Sequence, residues 1–191
     1  MRTVSFRQMK EGTKAEYLLL NELEREYIRQ LPDRLLHALH ALDDGLAGYQ
    51  VTRLEHSLQT ATRAEADGAD EDMIAGALIH DLGDALAPEN HSNYAAEIIR
   101  PYVRPEVTWV IEHHGLFQKV YYAHHLGEDP DLRAAYRGHP FYESCVRFCE
   151  RWDQAAFDPE YPTRPLEHFE PLVRRIFSRP AFDPAVVGSG P

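Results

Sequence analysis

Cysteine is nearly absent from this 191-residue chain, with only Cys145 and Cys149 present. They stand four apart on a predicted helix and so neighbour each other on one face, where a disulfide would cross-link almost nothing. Two core thiols in a reducing cytoplasm are the expected reading. Long apolar runs are also missing: none approaches the ~20 residues of a membrane span. Met1 to Tyr17 carries charges throughout and lacks the apolar stretch of a signal peptide. No Lys/Arg-rich run occurs, and the formal net charge is −11. A nucleic-acid binder needs a basic surface to replace phosphate counterions, so neither nucleic acid nor an anionic membrane is expected as a partner. A small anionic substrate stays open, because bound metal ions can supply positive charge that the net figure hides.

Strand alternation, internal repeats and linkers are absent too. Helical spacing of apolar residues runs from Tyr17 to Arg29, Leu35 to Leu42, Thr52 to Ala66 and Asp70 to Leu82. It resumes over His91 to Ile99, Glu106 to His114, Phe117 to His125, Phe141 to Ala156 and Leu166 to Phe177. Gly68 and Pro101 end two of these segments, and Pro105 sits at the start of another, where proline is tolerated. The Ile74, Ala77, Leu78 stripe marks a central buried helix. Phe157 to Pro165 reads as a loop. The expected fold is all-α, a single helical domain over residues 1–179 with a loosely held tail over 180–191. A hydrophobic content of 43% and this length suffice for a core that buries roughly 70% of the unfolded surface.

The chemistry is concentrated in His56, His80, Asp81, His91, His114 and Asp153. Taken singly, most have a bland reading: a mid-helix histidine is more often a satisfied core or surface residue than a ligand, and Asp153 could pair with an arginine. His80-Asp81 changes the balance, because an unpaired carboxylate at the end of a buried helix is costly. A metal or a cation partner relieves that cost. The two side chains cannot share one helical stripe, but at a helix end they can turn toward a common point, and a carboxylate has two oxygens with which to bridge two ions. Imidazole and carboxylate without thiolate suit iron, manganese or zinc.

The order His56, then His80-Asp81 within Ile79-His80-Asp81-Leu82-Gly83-Asp84, then Asp153, resembles the HD-domain superfamily, with the likeness running from about Tyr49 to Phe177. The additional His91 and His114 are what a dinuclear member would carry. Leu54-Glu55-His56-Ser57-Leu58-Gln59 with His80-Asp81-Leu82-Gly83 resembles the mixed-valent di-iron oxygenases of that superfamily. Of these the phosphonate-degrading enzymes are nearer and myo-inositol oxygenase more distant. The resemblance implies a single HD-domain helical bundle holding one ferrous and one ferric ion. One ion would take His56, His80, Asp81 and Asp153, and the other His91 and His114, with Asp81 bridging. It implies O2-dependent cleavage of the carbon–phosphorus bond of a 1-hydroxyalkylphosphonate. Such a first shell carries about +3, enough to draw in a phosphonate. Lys119 is the expected phosphonate clamp, with Arg147 or Arg151 as further candidates. Glu55, Asp84 and Glu112 are candidates to orient the histidines.

Two departures from these relatives bear on the substrate. Position 84 is Asp where the phosphonate enzymes show histidine and myo-inositol oxygenase shows lysine. No acid lies between Gly45 and Arg53 to hold a primary ammonium. A trimethylammonium group favours aromatic faces, and Tyr49 is the expected wall with Asp84 as a more distant acid. The expected substrate is therefore [1-hydroxy-2-(trimethylammonio)ethyl]phosphonate, giving glycine betaine and phosphate. A dinuclear HD phosphohydrolase acting on a small phosphate ester and a non-catalytic binding module remain as alternatives. A monomer or small homo-oligomer in the cytoplasm is expected. His113, His124, His125, His139 and His168 carry no assignment.

Overall fold

A computed structural model describes residues 2–188. Among these there is no strand, and the chain folds as a helical bundle, as its periodicity predicts. The principal helices are α1 (Lys14–Arg29), α2 (Leu31–Ala41), α3 (Arg53–Ala66), α4 (Glu71–Ile79) and α5 (His91–Ile99). They are followed by α6 (Pro105–Tyr122), α7 (Tyr142–Phe148) and α8 (Leu166–Phe177), and then by a single turn, α9 (Pro184–Val187).

α4 is the axis of the bundle. Met73 to Ile79 are all buried, so this helix is apolar on every side and must be wrapped by others. α3, α6 and α8 pack around it, and α5 lies against α6. α3 begins on a capping box: the Thr52 hydroxyl accepts from the Glu55 amide and the Glu55 carboxylate accepts from the Thr52 amide. Asp70 caps α4 by accepting from the Met73 amide. These caps fix where α3 and α4 start, and so fix the level at which His56 and His80 emerge. α1 stands outside the core, with no buried side chain.

The structure corrects several boundaries. Glu106–His114 and Phe117–His125 are not two helices but the single α6, followed by a 3-10 turn over Ala123–Leu126. Gly115 does not break it, because the missing side chain leaves room for Ser92 and His91 of α5. α4 stops at Ile79 rather than Leu82, leaving His80 as its C-terminal cap. The helix expected over Phe141–Ala156 is α-helical only to Phe148, and Cys149–Asp153 forms a π-helical turn. Within the expected tail, Pro184–Val187 is helical and the Phe182 amide donates to the Pro101 carbonyl at 2.8 Å. Residues 189–191 of that tail lie outside the described residues.

Candidate metal centre

Five elements converge on one buried point. His56 comes from α3, one turn after its cap. His80 and Asp81 come from the end of α4, His91 is the first residue of α5, and His114 lies in the middle of α6. Asp153 closes the π-helical turn after α7, whose extra residue changes the direction in which the last side chains leave the helix. His56, His80, Asp81, His114 and Asp153 are buried and His91 is partly so.

Each histidine is oriented from behind by a backbone carbonyl. The His56 Nδ1 faces Ala156 O at 3.0 Å and the His80 Nδ1 faces Ala77 O at 2.7 Å. The His114 Nδ1 faces Ile111 O at 2.7 Å, and the His91 Nδ1 faces Pro88 O at 3.2 Å. A carbonyl can only accept, so the proton sits on Nδ1 and the Nε2 lone pair points inward. The carboxylates expected in this orienting role are mostly elsewhere. Glu55 is in the cap of α3 and Glu112 pairs with Arg100 at 3.2 Å. Only Asp84 reaches a ligand histidine, at 3.5 Å from the His91 Nδ1.

The inward atoms form two nests that share one carboxylate. In the first, the His56 and His80 Nε2 atoms are 3.0 Å apart. Asp81 Oδ2 lies 3.4 Å from each of them. Asp153 Oδ1 lies 3.2 Å from His56 and 3.6 Å from His80. In the second, Asp81 Oδ1 lies 3.6 Å from the His91 Nε2 and 3.4 Å from the His114 Nε2. Donors about 2.1 Å from a common ion stand roughly 3.0–3.5 Å from one another, which matches these separations. Two imidazole lone pairs facing each other at 3.0 Å repel without something positive between them, and Asp153 Oδ2 is buried with no hydrogen-bond partner. The donor set therefore fits two borderline divalent or trivalent ions.

The electrostatics agree. Burial works to lower the His80 pKa, but the Asp81 and Asp153 carboxylates outweigh it and push it up to about 9. Asp81 and Asp153 are held well below the usual carboxylate range against their own burial, by the charge and hydrogen bonds of the surrounding histidines. Burial and the neighbouring Asp81 charge raise Asp84. The cluster thus holds its charge only with protons or cations inside it, and the two compete for the same Nε2 atoms. Cys145 and Cys149 are buried and free and donate no ligand. The Cys149 thiol, its pKa raised by burial, faces the His114 carbonyl at 3.6 Å.

The division of Asp81 between the nests gives a first prediction. His91→Ala or His114→Ala should cost chiefly the second ion, leaving close to one metal per chain by elemental analysis. Loss of both ions in either variant would contradict the two-nest plan.

The centre opens into a cavity of about 900 Å3. Tyr49 lines it but is no free aromatic wall: it stacks on Phe157 at 4.9 Å and has the Arg53 guanidinium 5.1 Å from its ring centre. Phe157 in turn stacks on His56 at 4.3 Å. Asp84 is engaged by Arg53 at 2.8 Å and by His91, so it positions those residues. Lys119 lines the cavity, but its ammonium pairs with Glu128 at 2.8 Å. Arg151 pairs with Asp67 at 2.9 Å, and Arg147 is exposed and not part of the lining. Of the unassigned histidines, His113 lines the cavity and stacks on Trp109, which also stacks on His139 at 4.1 Å. His168 pairs with Glu65 at 2.9 Å, and His124 and His125 are exposed. The sequence reading missed Arg53, Phe157, Leu132 and Tyr136. For Arg53 a signal was available: it stands three residues before His56, on the same face of α3.

Residues 53–144 match the HD domain family. That span contains five of the six converging residues and leaves Asp153 beyond its end. The chain is also 26% identical, over 166 residues, to a [1-hydroxy-2-(trimethylamino)ethyl]phosphonate dioxygenase (glycine-betaine-forming) from Leisingera caerulea, covering 72% of this chain and 85% of that relative.

Proposed function

We propose that the chain is a di-iron, O2-dependent enzyme cleaving the carbon–phosphorus bond of a 1-hydroxyalkylphosphonate; its match to the HD domain family and its 26% identity to a phosphonate dioxygenase support that reading. The functional unit is the helical domain of residues 1–179, with its metal-binding core over 49–177, working in the reducing cytoplasm. The likeness to a phosphonate dioxygenase carries the oxygenase part of this reading, and the second nest carries the dinuclear part. His91 and His114 gather on the far oxygen of Asp81, which a site for one ion does not require. Overall, the substrate and O2 give a carboxylate, inorganic phosphate and one proton, with the carbinol carbon oxidised and O2 reduced.

When bound, one ferrous and one ferric ion would supply Lewis acidity toward the substrate oxygens and a redox path by which electrons from the substrate reach O2. The protein's own groups do the rest. His56, His80, Asp81 and Asp153 would hold one ion and His91 and His114 the other, with Asp81 shared between them. The carbonyls behind the histidines keep each Nε2 free of its proton. Phe157, laid over His56, excludes water from that side of the first nest.

Phosphate release from a 1-hydroxyalkylphosphonate should require O2 and scale with the iron content. Equal release under strict anaerobiosis would replace the oxygenase with a dinuclear phosphohydrolase, in which the same ions activate water.

The preferred organic group in this reading is trimethylammonium. With Tyr49 already stacked, the aromatic surface for it comes from Tyr121, Tyr122 and Tyr136, which line the same cavity. A primary ammonium against those rings would leave N–H donors unpaired, at roughly 1–3 kcal/mol. The trimethylated substrate should therefore be favoured about 5- to 150-fold in kcat/KM over its unmethylated counterpart. A preference for the free amine would remove the aromatic-wall idea and leave the oxygenase reading in place.

A further inference from the structure

Arg53 is the cation of this cavity that stands against the metal centre, paired with Asp84 Oδ2 at 2.8 Å and with Asp81 Oδ2 at 3.3 Å. Arg53 and Lys119 are the two lysine or arginine residues in its lining; Lys119 pairs with Glu128, which is outside the lining, whereas Arg53 reaches Asp81, the carboxylate shared by both nests. Arg53 lies in the first turn of α3, and its spacing of three puts it on the face that carries His56. Its side chain is 16% exposed. A guanidinium has five N–H donors. Among the described residues this one makes a single aligned hydrogen bond, from Nη1 to Asp81 Oδ2, at a long 3.3 Å. Its Nε lies 2.8 Å from Asp84 Oδ2, but the N–H is not aligned on that oxygen.

Asp81 is also the carboxylate shared by both nests. With two ions in place its charge is committed to them, and it no longer offsets Arg53. The guanidinium then adjoins cations beside the open cavity, with Asp84 as its remaining carboxylate, and its unbonded N–H groups can take an anion. A tetrahedral phosphonate suits them: one oxygen can face the ions while two others meet the planar fork, the geometry in which arginine binds phosphate-like groups.

We propose that Arg53 is the anion-recognition residue of this cavity, binding the phosphonate group of the substrate and so selecting phosphonates over uncharged polyols. The proposal rests on the dinuclear reading for the presence of the ions and does not depend on their reaction with O2.

The test is calorimetric titration of methylphosphonate into the iron-loaded full chain without oxygen. Arg53→Gln should weaken binding about 10- to 100-fold with two irons retained. Arg53→Lys, keeping the charge without the fork, should fall between it and the parent. Lys119→Gln should change binding by no more than about fivefold. Parent-like affinity in iron-replete Arg53→Gln overturns the proposal, as does failure of the parent to bind methylphosphonate. If Arg53→Gln does not fold or load iron, Arg53→Lys decides: parent-like affinity with two irons overturns the proposal. Loss of iron in both variants makes Arg53 a positioning residue for Asp81, and overturns it too. O2-independent phosphate release would remove the oxygenase reading without touching this binding result.

Discussion

Asp81→Ala is expected to empty the centre of both ions and abolish phosphate release. The variant removes the one side chain common to the two nests: Oδ2 stands 3.4 Å from His56 and His80, while Oδ1 stands within 3.6 Å of His91 and His114. It also removes a negative charge from a site where buried imidazoles must hold cations, so each remaining nest is weaker in both donors and field. Stability gives a second readout. Ions that bind only the folded chain stabilise it by about 2.7 kcal/mol at a hundredfold excess over Kd. For a chain of this size that corresponds to roughly 5–10 °C in Tm. The parent should gain that increment on iron addition, and Asp81→Ala should not respond. Two iron equivalents retained by the variant would remove Asp81 from its bridging position.

Much of this centre was legible in the sequence because its ligands sit at positions that periodicity can mark. His80-Asp81 follows an apolar run and therefore falls at a helix end, where adjacent side chains can converge, and the structure puts His80 at the cap of α4. His91 heads a helix that begins where expected. Contacts that depend on chain segments meeting in space were not legible. Lys119 stands five residues after His114, but its partner Glu128 lies beyond the end of α6. Tyr49 precedes His56 closely, but its stacking partner Phe157 arrives from the loop after Asp153. The π-helical turn that sets Asp153 inserts one residue into a helical pattern, a local shift that hydrophobic spacing does not register. The carbonyls behind the histidines have no side-chain signature at all.

Gly83→Ala is expected to pull the second nest apart while leaving most of the bundle folded. A Cβ at position 83 would stand 2.6 Å from the His91 Cα and 2.7 Å from the His91 carbonyl oxygen, with the Tyr94 Cβ at 3.0 Å. Two of these atoms are backbone and cannot turn aside, so α5 as a whole must move away from the turn that carries Asp81. His91 heads that helix and its Nε2 is already 3.6 Å from Asp81 Oδ1. Displacement by an ångström takes it out of any shared coordination, and a misplacement of that size can cost about a hundredfold in rate. Gly76→Ala is the control. There the added Cβ would meet the Val107 Cγ1 at 2.6 Å, a side-chain methyl in the core between α4 and α6. Overpacking of that kind costs about 1–3 kcal/mol, or roughly 2–12 °C in Tm at this chain length, and leaves the ligands in place. Gly83→Ala should thus bind close to one iron per chain, with activity down about a hundredfold or more, whereas Gly76→Ala should keep two irons and lose only thermal stability. Equal iron content in the two variants would mean that the Gly83 turn does not set the distance between Asp81 and His91.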